Sequence, residues 1–359
     1  MAKTAPKTGK LKRQKSRQDS RGYRTRMGLF ALTFLVLLIV CGKLISLVQG
    51  ISQPIAPDSP VGQKTYQWDG TGRLNIVVQA DNLYLFSFNP GSQSANLLLI
   101  PPEMYLNLPL GFGQYQAGSV YQLGQSEQPP LGARLLKEGM ENTLAVPVDN
   151  YFLVGKNFSE EPFPKVLEKI RQNPIQAAGL LRGSKTDLSL KEYFLLMLSL
   201  RNVREDKISE SDISESTVTS WELLPNGSRV LGINKPDLEQ FAQGQLEDTA
   251  LQNEEFSVGV YNATNHPQLA EKAARLVRDM GGRVIFTSNL SSDMKNSVVI
   301  GKKSYTSRRL GQIFTPNCPV EVSAHDSTKP GCQPVGFDQS ISRADVNLIL
   351  GEDYYREFQ

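Results

Sequence analysis

The stretch MGLFALTFLVLLIVCG, Met27 to Gly42, runs sixteen residues without a charge. Lys43 interrupts it, and LISLV carries the apolar character to Val48, 22 residues from Met27. A helix of that length spans about 30 Å, the hydrocarbon thickness of a bilayer. Lys43 stands close enough to one end to reach the headgroups. Upstream, residues 1–26 hold ten Lys or Arg and one Asp, a net charge of +9. A basic flank stays on the cytoplasmic side. A cleaved signal peptide would close on small residues, where this chain has Val48 and Gln49. The expectation is therefore a basic cytoplasmic tail over 1–26, one membrane helix over 27–49, and an exported remainder. In this single-pass arrangement residues 1–49 meet membrane lipid, since a Lys/Arg run beside a membrane helix faces anionic headgroups.

The whole chain carries +3, so removing the +9 tail leaves the remainder at −6. An acidic body argues against nucleic acid, whose binders concentrate positive charge on the folded surface. Only three cysteines and two histidines occur, without Cys-x-x-Cys or His-x-x-x-His spacing. That leaves no built-in zinc site and little room for a Ser-His-Asp triad. His266 and His325 read as surface residues. No resident cofactor is expected. Cys318 and Cys332 flank a polar excursion, and export would permit a disulfide between them, the alternative being two free thiols.

Along the chain, 50–70 reads as a linker, rich in proline over Ile51–Gln63. Leu74–Val78, Leu83–Phe88 and Asn96–Ile100 are apolar strands, the last two joined at Asn89-Pro90-Gly91. A helix is expected over Pro130–Leu144, a strand over Val146–Val154, and a buried helix over Leu190–Leu200. Glu210–Ser220 is polar and acidic. Two short strands follow around Pro225-Asn226-Gly227, and Gln243–Glu255 has linker composition. From Phe256 the pattern is strand, helix, strand, strand, helix, strand, closing on Ala344–Leu350. The helix opens at His266-Pro267, carries Leu269, Ala273, Leu276, Val277 and Met280 on one stripe, and stops at Gly281. The fold class is α/β: a first domain over 71–240, a linker over 241–255, and a smaller α/β domain over 256–359.

SVGVYNATNHPQLAEKAARLVRDMGGRVI resembles the opening of the LytR C-terminal domain family through Asn262, Thr264, Leu269, Ala270 and Gly281. RADVNLILGEDYYREF resembles its closing strand through Asp345, Leu350, Gly351, Asp353 and Tyr354. The first domain is similar to the LytR-CpsA-Psr (LCP) family through Asn75, Asn89, Pro90, Pro101, Tyr105, Pro147, Asp149 and Tyr151. KTDLSLKEYFLLMLSLRNVREDKI matches the helix that closes that domain. The resemblance implies a membrane-anchored envelope protein. In active members it implies transfer of glycopolymer from a polyprenyl-pyrophosphate carrier to peptidoglycan.

Such a site holds pyrophosphate with arginines and magnesium with aspartates, because guanidinium groups bind phosphate oxygens bidentately. Here Pro102-Glu103 replaces the family's Arg-Asp, and no basic residue stands near Tyr115. Between Val154 and Leu190 only Lys156, Lys165, Lys169, Arg171, Arg182 and Lys185 appear. The remaining candidates are Asp81, Glu103, Arg73, Arg134 and Arg182, with Asp149 a third carboxylate able to face a metal. The expected reading is a degenerate, non-catalytic LCP-like protein that binds or scaffolds in envelope assembly. Its partners would be cell-wall glycan, lipid-linked glycan or envelope proteins. The alternatives are an active phosphotransferase, which alone would require magnesium, and a membrane-bound regulator.

Overall fold

Strands that are apolar at consecutive rather than alternate positions are covered on both faces. β2 (Leu74–Gln79) and β3 (Leu83–Asn89) are of this kind and are buried almost throughout. In the computed structural model they pair antiparallel, and β4 (Ser94–Ile100) adds antiparallel to β3 across the Asn-Pro-Gly turn. β7 (Asn150–Leu153) runs parallel to β2, and β9 (Ile208–Asp212) parallel to β4. With β8 (Lys185–Ser189) and β1 (Pro54–Ala56) the sheet reads β1-β8-β7-β2-β3-β4-β9. The structure describes residues 51–58, 67–155, 161–173, 178–223, 227, 229–315, 317–321, 323, 329–334 and 336–357. The expected anchor over 27–49 and His325 lie outside these residues. Among the described residues no helix is long and apolar enough to cross a membrane. The chain divides into Met1–Gln53 and a compact unit, Pro54–Gln359.

On one face of the sheet Val77, Leu85, Leu98 and Leu153 pack against helices α1 (Ala117–Gln125) and α2 (Gly132–Leu144). On the other, Ile76, Val78, Phe86 and Phe152 pack against α3 (Phe163–Gln172) and α4 (Leu190–Arg201). Two antiparallel hairpins flank this core: β5 (Tyr105–Leu108) with β6 (Gly113–Gln116), and β10 (Thr219–Leu223) with β11 (Arg229–Ile233). A reciprocal capping box starts α4, Ser189 with Glu192. Glu192 also accepts the Trp68 backbone N–H at 2.7 Å, tying that helix to the chain ahead of β2.

Several expectations need correction. The proline-rich segment 50–70 is not all linker: Pro54–Ala56 is an edge strand on β8, where a missing N–H is tolerated, and Trp68 is fully buried. The polar stretch at Glu210 begins within β9, also an edge strand, which needs no apolar outer face. Residues 243–255 are largely helical, forming the end of α5 (Lys235–Gln245) and, after a short turn, α6 (Thr249–Glu254), capped by the Asp248 side chain. α4 is half-buried: Tyr193, Leu196 and Leu200 face the core, while Phe194 and Leu198 are 56% and 63% exposed.

In the C-terminal part, β12 (Ser257–Asn262) lies parallel to both β13 (Arg283–Asn289) and β15 (Val346–Leu350). β14 (Val298–Gly301) pairs antiparallel with β15, giving the order β13-β12-β15-β14. α7 (Leu269–Asp279) and α8 (Tyr305–Phe314) cover one face through a shared apolar cluster. α7 starts at Leu269, two residues after Pro267, and the chain turns at Gly281 with φ +95°. The two cysteines that flank the polar excursion reach the other face, where they and Phe337 join the cluster around Tyr261 and Ile349. Cys318 and Cys332 are disulfide-bonded, with Cα atoms 5.7 Å apart. α9 (Glu352–Glu357) ends the described chain.

Candidate functional site

In open α/β sheets ligands gather at the carboxyl ends of the parallel strands. Here that end carries Asp81 after β2, Pro101–Glu103 after β4, and the turns joining β7 to β8. Asp81 accepts from the Phe163 backbone N–H at 3.0 Å and from the Tyr84 hydroxyl at 3.1 Å. Its carboxylate therefore satisfies a donor at the start of α3, the service an N-cap performs. Glu103 is an exposed turn residue. Arg182 is exposed at the same end of the sheet, two strands across from β2. Lys185 beside it is paired with Asp58 at 2.6 Å.

The other two arginine candidates do not join them. Arg73 precedes β2 and so lies at the opposite end of the sheet. Its guanidinium donates to the Glu247 and Gln245 carbonyls at 2.8 and 2.9 Å and to the Ser87 hydroxyl at 2.7 Å. It thereby satisfies a carbonyl at the C-terminus of α5, where a cation suits the helix dipole. Burial lowers its pKa to about 10. Arg134 is held by Glu138 at 2.6 Å, one turn along α2. Among the described residues there is no group of three or more His, Cys, Asp or Glu placed to hold a metal ion.

Asp149, a metal candidate on sequence, instead joins the two α/β halves. One carboxylate oxygen accepts the Asn75 backbone N–H at 2.9 Å. The other meets Arg309 of α8 at 2.7 Å, with the two side chains 3% and 2% exposed. The same helix seats its first turn against the segment before β2. A Cβ on Gly72 would fall 1.6 Å from the Tyr305 hydroxyl oxygen, and Arg308 pairs with Asp69 at 3.0 Å. Glu254, ending α6, accepts the Tyr305 and Thr306 backbone N–H groups at 2.7 Å each. The C-terminal α/β part is thus fastened to the first by a buried ion pair and a helix start whose donors are already occupied.

Beside this junction opens a cleft of about 570 Å³, walled by the end of α2, the two hairpins, α7 and α9. Glu141 on α2 is buried against it and gives one oxygen to the Val148 backbone N–H at 2.9 Å. Burial above all pushes its pKa up to about 8, against the Val148 hydrogen bond and the pull of Lys137 and with help from the neighbouring Glu138 and Asp149. Burial works against charge on Lys137, but Asp187, Glu141, Asp149 and Glu138 together hold its pKa above the usual lysine value. Sequence reasoning missed both the ion pair and the cleft. Asp149 and Arg309 lie 160 positions apart with no local pattern joining them. Glu141 did leave a signal, an acid between Met140 and Leu144 on the apolar side of its helix.

Residues 255–354 match the family described as LytR cell envelope-related transcriptional attenuator. No curated protein matches the chain. Among solved structures, Bacillus subtilis TagT is 17% identical with a TM-score of 0.36, covering 54% of this chain and 97% of its own. Bacillus subtilis TagV is 13% identical with a TM-score of 0.36, covering 48% and 95%. A LytR-CPS2A-psr family protein, YwtF (TagT), with bound octaprenyl pyrophosphate lipid, is 17% identical with a TM-score of 0.33, covering 53% and 92%. The C-terminal part of this chain, residues 255–354, is a LytR C-terminal domain.

Proposed function

We propose that the chain is a membrane-anchored, envelope-facing protein whose LCP-like first domain binds or organises envelope material without turning it over. The observation that carries the reading is the employment of the nominated site residues. Asp81 serves the start of α3, Arg73 holds carbonyls at the far end of the sheet, and Arg134 is paired with Glu138. Transfer of a phosphoryl-linked polymer needs donors gathered where charge develops. Arg182 is the one nominated arginine left exposed at the Asp81 end.

The remaining support is chemical. The apolar run Met27–Val48 behind a +9 tail suits a single-pass anchor with the N-terminus inside and lipid as its partner. The Cys318–Cys332 disulfide suits an oxidising, extracytoplasmic compartment. The LytR C-terminal domain suits envelope work, with glycan, lipid-linked glycan or envelope proteins as partners and no requirement for magnesium. The test is complementation. A strain lacking the gene and showing an envelope defect should be rescued equally by the wild type and by Asp81→Asn/Arg182→Ala. Rescue by the wild type alone, with both proteins present at equal level, would favour the phosphotransferase.

A further inference from the structure

The cleft beside the junction has a composition the proposed function does not yet use. Its walls come from both α/β halves, and the Asp149–Arg309 pair and the Tyr305 contacts fix those halves together. Its volume of about 570 Å³ is that of a preformed small-ligand site. Two half-buried tyrosines, Tyr105 and Tyr355, border it, and Tyr355 is stacked on His266. Aromatic rings of this kind offer an apolar face with a polar edge.

Hydrogen-bonding groups stand around those rings. Gln114 donates to the Asn107 carbonyl at 2.8 Å, which orients both amides and leaves the Asn107 NH₂ and the Gln114 carbonyl for a ligand. The Asn142 side-chain amide has no hydrogen-bond partner among the described residues. Glu141, nine-tenths buried, engages one carboxyl oxygen with Val148, and its second oxygen has no partner among the described residues. A carboxyl whose pKa is pushed up to about 8 keeps its proton at neutral pH and can donate.

The charges limit the choice of ligand. Lys272 and Glu222 are exposed at the rim, opposite in sign and without ion-pair partners among the described residues. Arg275 is already paired with Glu239 at 3.0 Å. A site with balanced rim charges, amide donors and acceptors, and aromatic faces matches neither a phosphate chain nor an aliphatic lipid. We propose that this cleft binds a neutral saccharide, its ring faces packed on Tyr105 and Tyr355 and its hydroxyls met by Asn107, Asn142 and Glu141. The proposal rests on the envelope-facing reading only for the choice of probe.

The test is calorimetric titration of the full chain in detergent micelles with a β-1,4-linked N-acetylglucosamine tetrasaccharide. Saturable binding at one site per chain is expected. Asn142→Ala and Tyr355→Ala should each weaken it about tenfold or more, a loss of about 1.4 kcal/mol. Phe194→Ala, on the exposed side of α4, should bind as the wild type does. The Asn142 side chain makes no hydrogen bond among the described residues, so its variant keeps the test valid if Tyr355→Ala unfolds. Absence of binding at millimolar sugar, by a chain with a native melting profile, overturns the proposal. So does binding that neither variant weakens, or tighter binding of an extended peptide or a poly(glycerol phosphate). Lack of sugar binding leaves the non-catalytic reading standing, whereas turnover of a lipid-linked substrate would remove that reading and leave the cleft intact.

Discussion

Glu141 is a carboxyl held in its acid form by its surroundings. Its pKa is raised from an ordinary 4.5 to about 8, so the folded chain retains a proton that the unfolded chain releases. Stability from this group is complete below about pH 4.5 and falls as pH rises towards 8, by at most about 1.4 kcal/mol per pH unit. Glu141→Gln keeps the shape and removes the titration. Urea unfolding at pH 5 and pH 8 should show the wild type losing stability relative to the variant. Equal losses in both proteins would place the carboxyl's titration elsewhere. Asp149 and Arg309 test a second single-residue effect. Arg309→Met strands a buried carboxylate and should cost about 3–5 kcal/mol, whereas Asp149→Asn/Arg309→Met should recover much of it. A single-variant cost under about 1 kcal/mol, in the same unfolding measurement, would show that the pair does not fasten the two halves. Neither residue's partner was legible in the sequence. A buried ion pair between distant segments leaves no periodicity, so Asp149 reads as one more polar residue after a proline.

At the level of elements, legibility followed the strength of local punctuation. β2, β3 and β4 were evident because helices cover both faces of the sheet and make consecutive strand positions apolar. The strand and helix order from Phe256 onward was evident because Gly and Pro mark its turns and α7 carries a clean stripe. Pro54–Ala56 and Thr249–Glu254 were not, since an edge strand and a six-residue helix draw their order from tertiary contacts rather than from propensity. The docking of α8 on the segment before β2 makes a specific prediction here. Gly72→Ala drives a methyl group into the Tyr305 ring, which is packed too closely to accept it. Thermal unfolding should register a loss of about 1–3 kcal/mol, the range for overpacking. A melting curve unchanged from wild type would mean that α8 sits looser against Gly72 than the structure has it.

For the whole molecule, two α/β layers and their junction form one compact unit from Pro54 onward. The arginines and carboxylates that an LCP-type site would gather are divided between the two ends of its sheet and the helix above it. The proposed single-pass arrangement predicts that a reporter fused after Gln359 is active outside the cytoplasm and silent within it; activity only in the cytoplasm would reject the anchor. Absence of turnover is tested by phosphorus NMR of the purified full chain with magnesium, a polyprenyl-pyrophosphate-linked saccharide and a glycan acceptor. The pyrophosphate resonances should persist unchanged. Their steady loss by the wild type, halted by Asp81→Asn, which keeps the helix-capping oxygen but removes the charge, would contradict that absence.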